Sequence, residues 1–165
     1  MAKFSQALLV ATVCFFGLAG FGYSHEDYQV VGKVYCDTCR AMFETDASIP
    51  MKAAPVKLQC QSRENGTITY SVEGVTDESG NYRLPGKGEH ENDICDVTVL
   101  KSTVPDCDEL APGRDRARVV LTHNNGIVSN ERYANPLGFL KKEALDVCPD
   151  VLKSVGLLPI VTIGE

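Results

Sequence analysis

The sequence predicts an all-β fold, a small antiparallel β-barrel or sandwich of six or seven strands with one short C-terminal helix. Short runs of alternating apolar and polar residues recur along the chain, and clusters of turn-forming residues separate them. Only one stretch, near the C-terminus, has apolar residues at helical spacing. Six cysteines behind an N-terminal leader indicate that three disulfides cross-link this framework.

The first residues have the pattern of a secretory signal peptide. A lone Lys3 precedes an apolar stretch from Ala7 to Phe21, and small residues follow it. We expect residues 1–24 to be cleaved and residues 25–165 to form a single β domain. A retained anchor is the alternative, but the stretch is short for a bilayer span. No comparably long apolar run follows, so we expect no membrane insertion after cleavage.

The cysteine content indicates the compartment. Cleavage of the leader removes Cys14 and leaves cysteines at positions 36, 39, 60, 95, 107 and 148. An even number of cysteines behind a signal peptide implies an oxidising compartment and a disulfide framework. The count allows many pairings and does not select one. The net charge of −6, without a basic run, argues against nucleic-acid or anionic-membrane binding.

The first predicted strand runs from Tyr28 to Tyr35, with Tyr28, Val30 and Val34 on one face. Pro50 and Pro55 argue against a central strand in the stretch that follows Cys39. Further strands are predicted where apolar residues alternate or cluster, at 56–60, 68–72, 82–84, 95–100 and 117–123.

The turn at Asn65-Gly66 predicts a hairpin between two of these strands, because the dipeptide accepts the positive φ values of a tight turn. The helix is predicted to begin at Asn135-Pro136, where asparagine can cap the first amides and proline fits the first turn. Its apolar stripe would be Leu137, Leu140, Ala144, Leu145 and Cys148, with Pro149 ending or kinking it. The apolar tail, Leu157 to Ile163, is consistent with a last strand or with docking on the surface.

Cys36 and Cys39 have the spacing of a thiol oxidoreductase motif, in which a helix N-terminus lowers the pKa of the first thiol. No convincing helix follows Cys39, and no βαβ pattern surrounds the pair. Structural disulfides are therefore favoured over redox catalysis. Zinc binding would need a second close cysteine pair, which Cys95 and Cys107 do not form. We expect no metal and no cofactor.

Other polar clusters give weaker signals. Asn65-Gly66-Thr67 is the only N-glycosylation sequon, at a predicted exposed turn, so we expect a glycan on Asn65. The run 89–93, Glu-His-Glu-Asn-Asp, lacks calcium-loop spacing and is interpreted as a solvated loop. The run 114–118 is expected to form local ion pairs. His123 and the two other histidines lack the serine, cysteine or carboxylate context of a nucleophilic site.

The run VYCDTCR, residues 34–40, with cysteine spacings of 3, 21, 35, 12 and 41, resembles the Ole e I family of secreted plant proteins, the olive-pollen major allergen and its relatives. The resemblance extends over nearly the whole chain behind the leader. Further matching stretches are Val75-Thr76-Asp77 through Tyr82, Asp93-Ile94-Cys95, Asp106-Cys107-Asp108-Glu109 and Asn135-Pro136-Leu137-Gly138-Phe139.

The resemblance implies a β-barrel or sandwich with disulfides Cys36–Cys107, Cys39–Cys148 and Cys60–Cys95. It also implies a monomer without enzymatic activity, secreted to the cell wall or surface. The expected partner is an extracellular protein such as a receptor-kinase ectodomain, in pollen or tube growth, or a cell-wall component. The alternative is a secreted thiol oxidoreductase that uses Cys36 and Cys39, with two reducible thiols.

Overall fold

The computed structural model describes residues 28–157, so the predicted signal peptide and all but the first residue of the apolar tail lie outside the described residues. Within this range no helix is long and apolar enough to cross a membrane. The elements are β1 (Tyr28–Asp37), β2 (Ile49–Pro50), β3 (Pro55–Ser62), β4 (Ile68–Val75), β5 (Asn81–Gly86), β6 (Asp93–Val99), β7 (Glu109–Leu110), β8 (Arg116–Val119), β9 (Glu131–Tyr133), β10 (Leu137–Leu140) and helix α1 (Cys148–Ser154).

These strands form two sheets that pack as a sandwich. The sheets do not close into a barrel, which was the other predicted form. The second sheet is antiparallel, in the order β4, β3, β6, β8. The first sheet is built around β1. The N-terminal half of β1 lies between antiparallel β5 and parallel β9, and its C-terminal half lies between antiparallel β2 and parallel β10. The predicted β-sandwich is confirmed, with two parallel pairings inside a mainly antiparallel architecture.

β1 is central because its side chains supply the core along its whole length. Tyr28, Val30 and Val34 are fully buried, as their alternation predicts. The final residues, 34–37, are buried on both faces of the strand, and β2 and β10 pair with its two edges there. The core continues into β3, β6 and β10, so β1, which carries Cys36, packs against residues of both sheets.

The hairpin predicted at Asn65-Gly66 joins β3 to β4. Gly66 has a φ of +70°, the left-handed conformation that favours glycine. Residues 63–67 make the connection, so it is longer than a two-residue turn, and the strand register shifts between Cys60 and Gln61. Pro50 lies in the short, exposed β2, which agrees with the prediction that no central strand occupies that stretch.

The predicted position of the helix is wrong. Leu137–Leu140 is strand β10, and the only helix within residues 28–157 begins at Cys148, with Pro149 in its first turn rather than at its end. Parallel pairing with β1 overrides the helical periodicity, because it pairs the backbone of all four residues of β10 while burying their side chains. Gly138 also fits beneath Tyr35, since a β-carbon there would stand 3.0 Å from the Tyr35 ring.

Candidate functional site

The first cysteine pair is built into disulfides rather than into a redox site. Cys36 is bonded to Cys107 and Cys39 to Cys148, with Cα–Cα distances of 6.0 and 5.3 Å. The third bond joins Cys60 to Cys95 across β3 and β6, with a Cα–Cα distance of 4.0 Å. This is the pairing that the family resemblance implies. All six cysteines among the described residues are therefore oxidised, and Cys36 and Cys39 are not bonded to each other.

Asp37 organises the chain between the two cysteines. Its carboxylate is fully buried and accepts hydrogen bonds from the backbone amides of Cys39, at 3.1 Å, and Met42, at 2.7 Å. Arg40 and Met42 both have positive φ angles. The chain thus leaves β1 in a tight turn and not as a helix, so the helix N-terminus on which a thiol oxidoreductase motif depends is absent from this turn.

An exposed ion pair fastens this turn to the opposite edge of the sheet. The Nη1 and Nη2 atoms of Arg40 donate to the two carboxylate oxygens of Glu109, at 2.8 and 3.1 Å, and Nη1 also donates to the carbonyl of Lys141 at 2.7 Å. The hydrogen bond from Arg40 lowers the pKa of Glu109. The contact links the region of the first cysteine pair to β7 and β10.

Asn65 lies on the exposed hairpin connection. The backbone amide and the hydroxyl of Thr67 both donate to Oδ1 of Asn65, at 3.0 and 2.8 Å. Both sequon residues are exposed to solvent, so the side-chain amide of Asn65 is accessible from outside the sandwich. Glycosylation itself stays a prediction.

The acidic run 89–93 does not converge on a single cation position. Asp93 accepts from the Thr69 hydroxyl at 2.5 Å and lies 2.8 Å from Nδ1 of His90; these bonds, that from Thr69 first, lower the Asp93 pKa. His90 Nε2 lies 3.0 Å from the carbonyl of Lys87. The side chains of Cys60, His90 and Cys95 come close enough to share a metal, but the two sulfurs are bonded to each other and offer no thiolate.

Glu89, from the same run, joins a partly buried cluster that the sequence did not reveal. The hydroxyl of Tyr28 donates to Oε1 of Glu89 at 2.6 Å and lies 2.6 Å from Nδ1 of His123. His123 also contacts Glu89 directly, through its ring and through its backbone amide at 3.2 Å. The guanidinium of Arg132 stacks over the Tyr28 ring, 4.7 Å from its centroid. No local pattern could have found these contacts, because the four residues are distant in sequence.

The arginines of the run 114–118 take different roles. Arg116 pairs with its neighbour Asp115 at 3.5 Å, as expected for local ion pairs. Arg118 instead donates from Nε to Asp96 on β6 at 2.5 Å, across the sheet, and Arg114 donates to the carbonyl of Met42 at 3.1 Å. These contacts stabilise neighbouring segments and do not form a common basic patch.

The outer face of β5, β1 and β9 forms an open groove of about 840 Å³, which we call the Tyr133 groove. Val31 lies at its centre, beside Arg83 on one neighbouring strand and Tyr133 on the other. Glu131 joins the two flanks, since its carboxylate accepts from Nη1 of Arg83 at 2.7 Å and from the Tyr133 hydroxyl at 3.0 Å. These hydrogen bonds, that from Arg83 first, lower the pKa of Glu131.

Sequence reasoning missed this groove, because β9 is too short to give an alternating signal. Among the large hydrophobic residues of the groove, Tyr133 is the most exposed, with 78% of its surface open to solvent. On the inner side of the same three strands, Tyr82 packs across Gly32, where a β-carbon would stand 2.3 Å from the Tyr82 hydroxyl. Glycine at position 32 therefore permits the sheet to close over this ring.

Comparisons with known proteins identify a family and relatives that match most of this chain. Residues 26–156 match the family model described as Pollen protein Ole e 1 like. An Olee1-like protein of Betula pendula is 46% identical over 162 residues, covering 96% of this chain and 97% of that protein. The anther-specific protein LAT52 of Solanum lycopersicum is 46% identical over 161 residues, covering 97% of this chain and 99% of that protein.

A solved structure is also similar. The crystal structure of the major plantain pollen allergen Pla l 1 superposes with a TM-score of 0.64 at 35% sequence identity, covering 74% of this chain and 99% of that chain. Pollen allergen Che a 1 of Chenopodium album is 43% identical over 157 residues, covering 93% of this chain and 94% of that protein. Two of these four names describe pollen allergens, one describes an anther-specific protein and one an Olee1-like protein, and none describes an enzyme.

Proposed function

Because the chain belongs to the Pollen protein Ole e 1 like family, we propose that it is a secreted, glycosylated and non-catalytic recognition protein. Residues 1–24 are the cleaved signal peptide, residues 25–165 are a single domain, and the mature protein acts as a monomer in the extracellular space or cell wall. It binds a partner there, either a receptor-kinase ectodomain in pollen or tube growth or a component of the wall.

One observation carries this proposal: all six described cysteines join distant segments of the sandwich. The disulfides have a structural role in this arrangement. A thiol oxidoreductase needs a thiolate that can attack a substrate disulfide, or a disulfide between its own two neighbouring cysteines. A rigid sandwich with an open polar groove supports recognition better than catalysis. The names of the relatives, among them an anther-specific protein and a pollen allergen, support the same interpretation.

The first test addresses secretion and modification. The full chain is expressed in plant cells, and the protein in the medium is characterised by mass spectrometry. We expect an N-terminus near residue 25 and a glycan on Asn65. The Asn65→Gln variant should still be secreted, and its mass should be that of the polypeptide without a glycan. An intact leader on protein retained in the cells would contradict the proposed localisation.

The second test separates recognition from redox catalysis. Native secreted protein should contain no free thiol, and it should bind a member of a panel of receptor-kinase ectodomains or a wall fraction. Reduced and alkylated protein is the matched control and should lose the binding. Two thiols that titrate at mild potential, together with disulfide exchange on a model substrate, would favour the oxidoreductase instead.

A further inference from the structure

We propose that the Tyr133 groove binds a neutral oligosaccharide chain. This inference rests on the proposed function, because it names the wall component that the protein would recognise. Two properties of the groove support it: an exposed aromatic ring held in place, and a polar rim that carries as many positive as negative side chains.

The aromatic ring is that of Tyr133, which is 78% exposed. Its hydroxyl is fixed by the 3.0 Å hydrogen bond to Glu131, so the ring is held in place although it is open to solvent. The face of an aromatic ring carries partial negative charge. It therefore attracts the slightly positive C–H groups that line one face of a pyranose, and a pre-positioned ring loses little conformational entropy on binding.

The rim offers polar groups without an excess of either charge. The Arg83 guanidinium is paired with Glu131 at 2.7 Å, and Lys33 contacts Glu44. The carboxylate of Asp77 accepts from the amides of Ser79, at 2.8 Å, and Asn81, at 2.9 Å. A guanidinium and a carboxylate retain further donors and acceptors after pairing. They can serve the hydroxyls of a neutral sugar, whereas an anionic sugar would have to displace Glu131 from Arg83.

The size and openness of the groove fit a chain better than a single sugar. A volume of about 840 Å³ along the sheet exceeds that of one pyranose ring, and the groove is open to solvent. A linear chain of several residues can place one ring over Tyr133 and let its neighbours reach Arg83 and Asn81.

The test uses the secreted protein with Asn65→Gln, so that its own glycan cannot occupy the groove. Cellohexaose is the neutral probe, and a galacturonic acid oligomer of matched length is the anionic one. Binding is measured by titration calorimetry and by backbone amide shifts. We expect cellohexaose to shift the amides of β1, β5 and β9, and to bind at least about threefold more tightly than the anionic probe.

Variants then locate the site. Tyr133→Ala should weaken cellohexaose binding roughly tenfold, whereas Tyr133→Phe, which keeps the ring, should stay within about threefold of wild type. The matched control is Ile68→Ala, which truncates an exposed side chain on the other sheet and should bind like wild type. Circular dichroism confirms that each variant folds, and truncation of an exposed side chain leaves the core intact.

The proposal is overturned if millimolar cellohexaose shifts no amide of β1, β5 or β9, if Tyr133→Ala binds as well as wild type, or if the anionic probe binds more tightly. These results do not decide the proposed function. Native protein that binds a receptor ectodomain but no sugar would refute this inference and leave the recognition role standing. Native protein that binds neither a receptor ectodomain nor any wall fraction would refute the recognition role as well.

Discussion

The hydroxyl of Tyr28 donates a 2.6 Å hydrogen bond to Oε1 of Glu89, 61 positions further along the chain. The bond ties the start of β1 to the loop between β5 and β6, and His123 adds a contact from the segment after β8. Three separate segments therefore meet at one carboxylate.

Acid should weaken this junction. Desolvation opposes the ionisation of Glu89, but hydrogen bonds from Tyr28, His123 and Thr122 outweigh it and lower the pKa from 4.5 to about 2. A carboxyl whose folded pKa is depressed stabilises the fold above its unfolded pKa, and this stabilisation is lost as the pH falls through the folded value. The contribution of Glu89 is therefore present above pH 4.5 and lost between pH 4.5 and about 2.

We expect Glu89→Gln to reduce the free energy of unfolding at pH 7 by about 1 kcal/mol, a value kept small because the side chain is partly exposed to solvent. The difference from wild type should shrink towards pH 2. Denaturant melts across this range measure it. Glu91→Gln, in the same loop, is the matched control and should change little; equal losses for both variants would refute the assigned role of Glu89.

Two buried tyrosines should respond in opposite ways to loss of the hydroxyl. Tyr28→Phe removes the donor to Glu89 and should cost about 1–2 kcal/mol, because a partly buried acceptor loses its partner. Tyr82→Phe removes a hydroxyl that has no partner among the described residues, so we expect no loss or a gain of up to about 1 kcal/mol. Urea denaturation compares the two. A similar cost for both would mean that the Tyr82 hydroxyl has a partner in solution.

Each disulfide should contribute to the free energy of unfolding according to the length of the loop that it closes. Cys39–Cys148 spans 109 positions and Cys60–Cys95 spans 35. In the chain-entropy model, replacing both cysteines of the first pair by alanine costs about 5 kcal/mol, and the same change in the second pair costs about 4 kcal/mol. Guanidinium denaturation of the two double variants tests this order, and a larger loss from the second pair would show that core packing outweighs loop entropy.

Arg132 should fix the loop of residues 120–130. It is only 3% exposed, and its guanidinium donates to the carbonyls of Val120 at 3.0 Å and Thr122 at 3.2 Å, with a further contact to Ser129. Lysine carries its three donors on one nitrogen and lacks the planar fork of a guanidinium, so it does not span these separate carbonyls. We expect Arg132→Lys to cost about 2–3 kcal/mol and to speed amide exchange in this loop.

Arg83→Lys is the matched control for that variant. Arg83 also donates to a distant segment, Glu131 on β9, but its side chain is 58% exposed, so its replacement should change the free energy of unfolding by less than about 0.5 kcal/mol. Unchanged exchange in residues 120–130 of Arg132→Lys would contradict the proposed role of the buried guanidinium.

Where local pattern and burial coincide, sequence reasoning predicted the structure well. The alternation of Tyr28, Val30 and Val34 indicated the inner face of β1, and Asn65-Gly66 indicated the hairpin between β3 and β4. Both features arise within a few residues. A period of two places alternate side chains on one face, and glycine relieves the steric cost of a positive φ at the turn.

The failures occurred where distant segments compete with local preference. Asn135 to Leu140 has helical capping and spacing, yet the β1 edge offers four residues of parallel backbone pairing and a buried position. The short strands β2, β7 and β9 have too few residues to show a period. Their backbone groups are paired only because other strands lie beside them.

Residue types and their spacing along the chain were enough to establish the β class, the turns, the even cysteine count and the family resemblance, because these features depend on residue identity and order alone; the disulfide pairing came from the resemblance. Folding in three dimensions was needed to establish that β1 has four strand neighbours, that Glu89 meets Tyr28 and His123, and that Tyr133 faces an open groove beside Arg83. These contacts join residues tens of positions apart. Their free energy depends on water excluded and hydrogen bonds formed only when the whole sandwich closes.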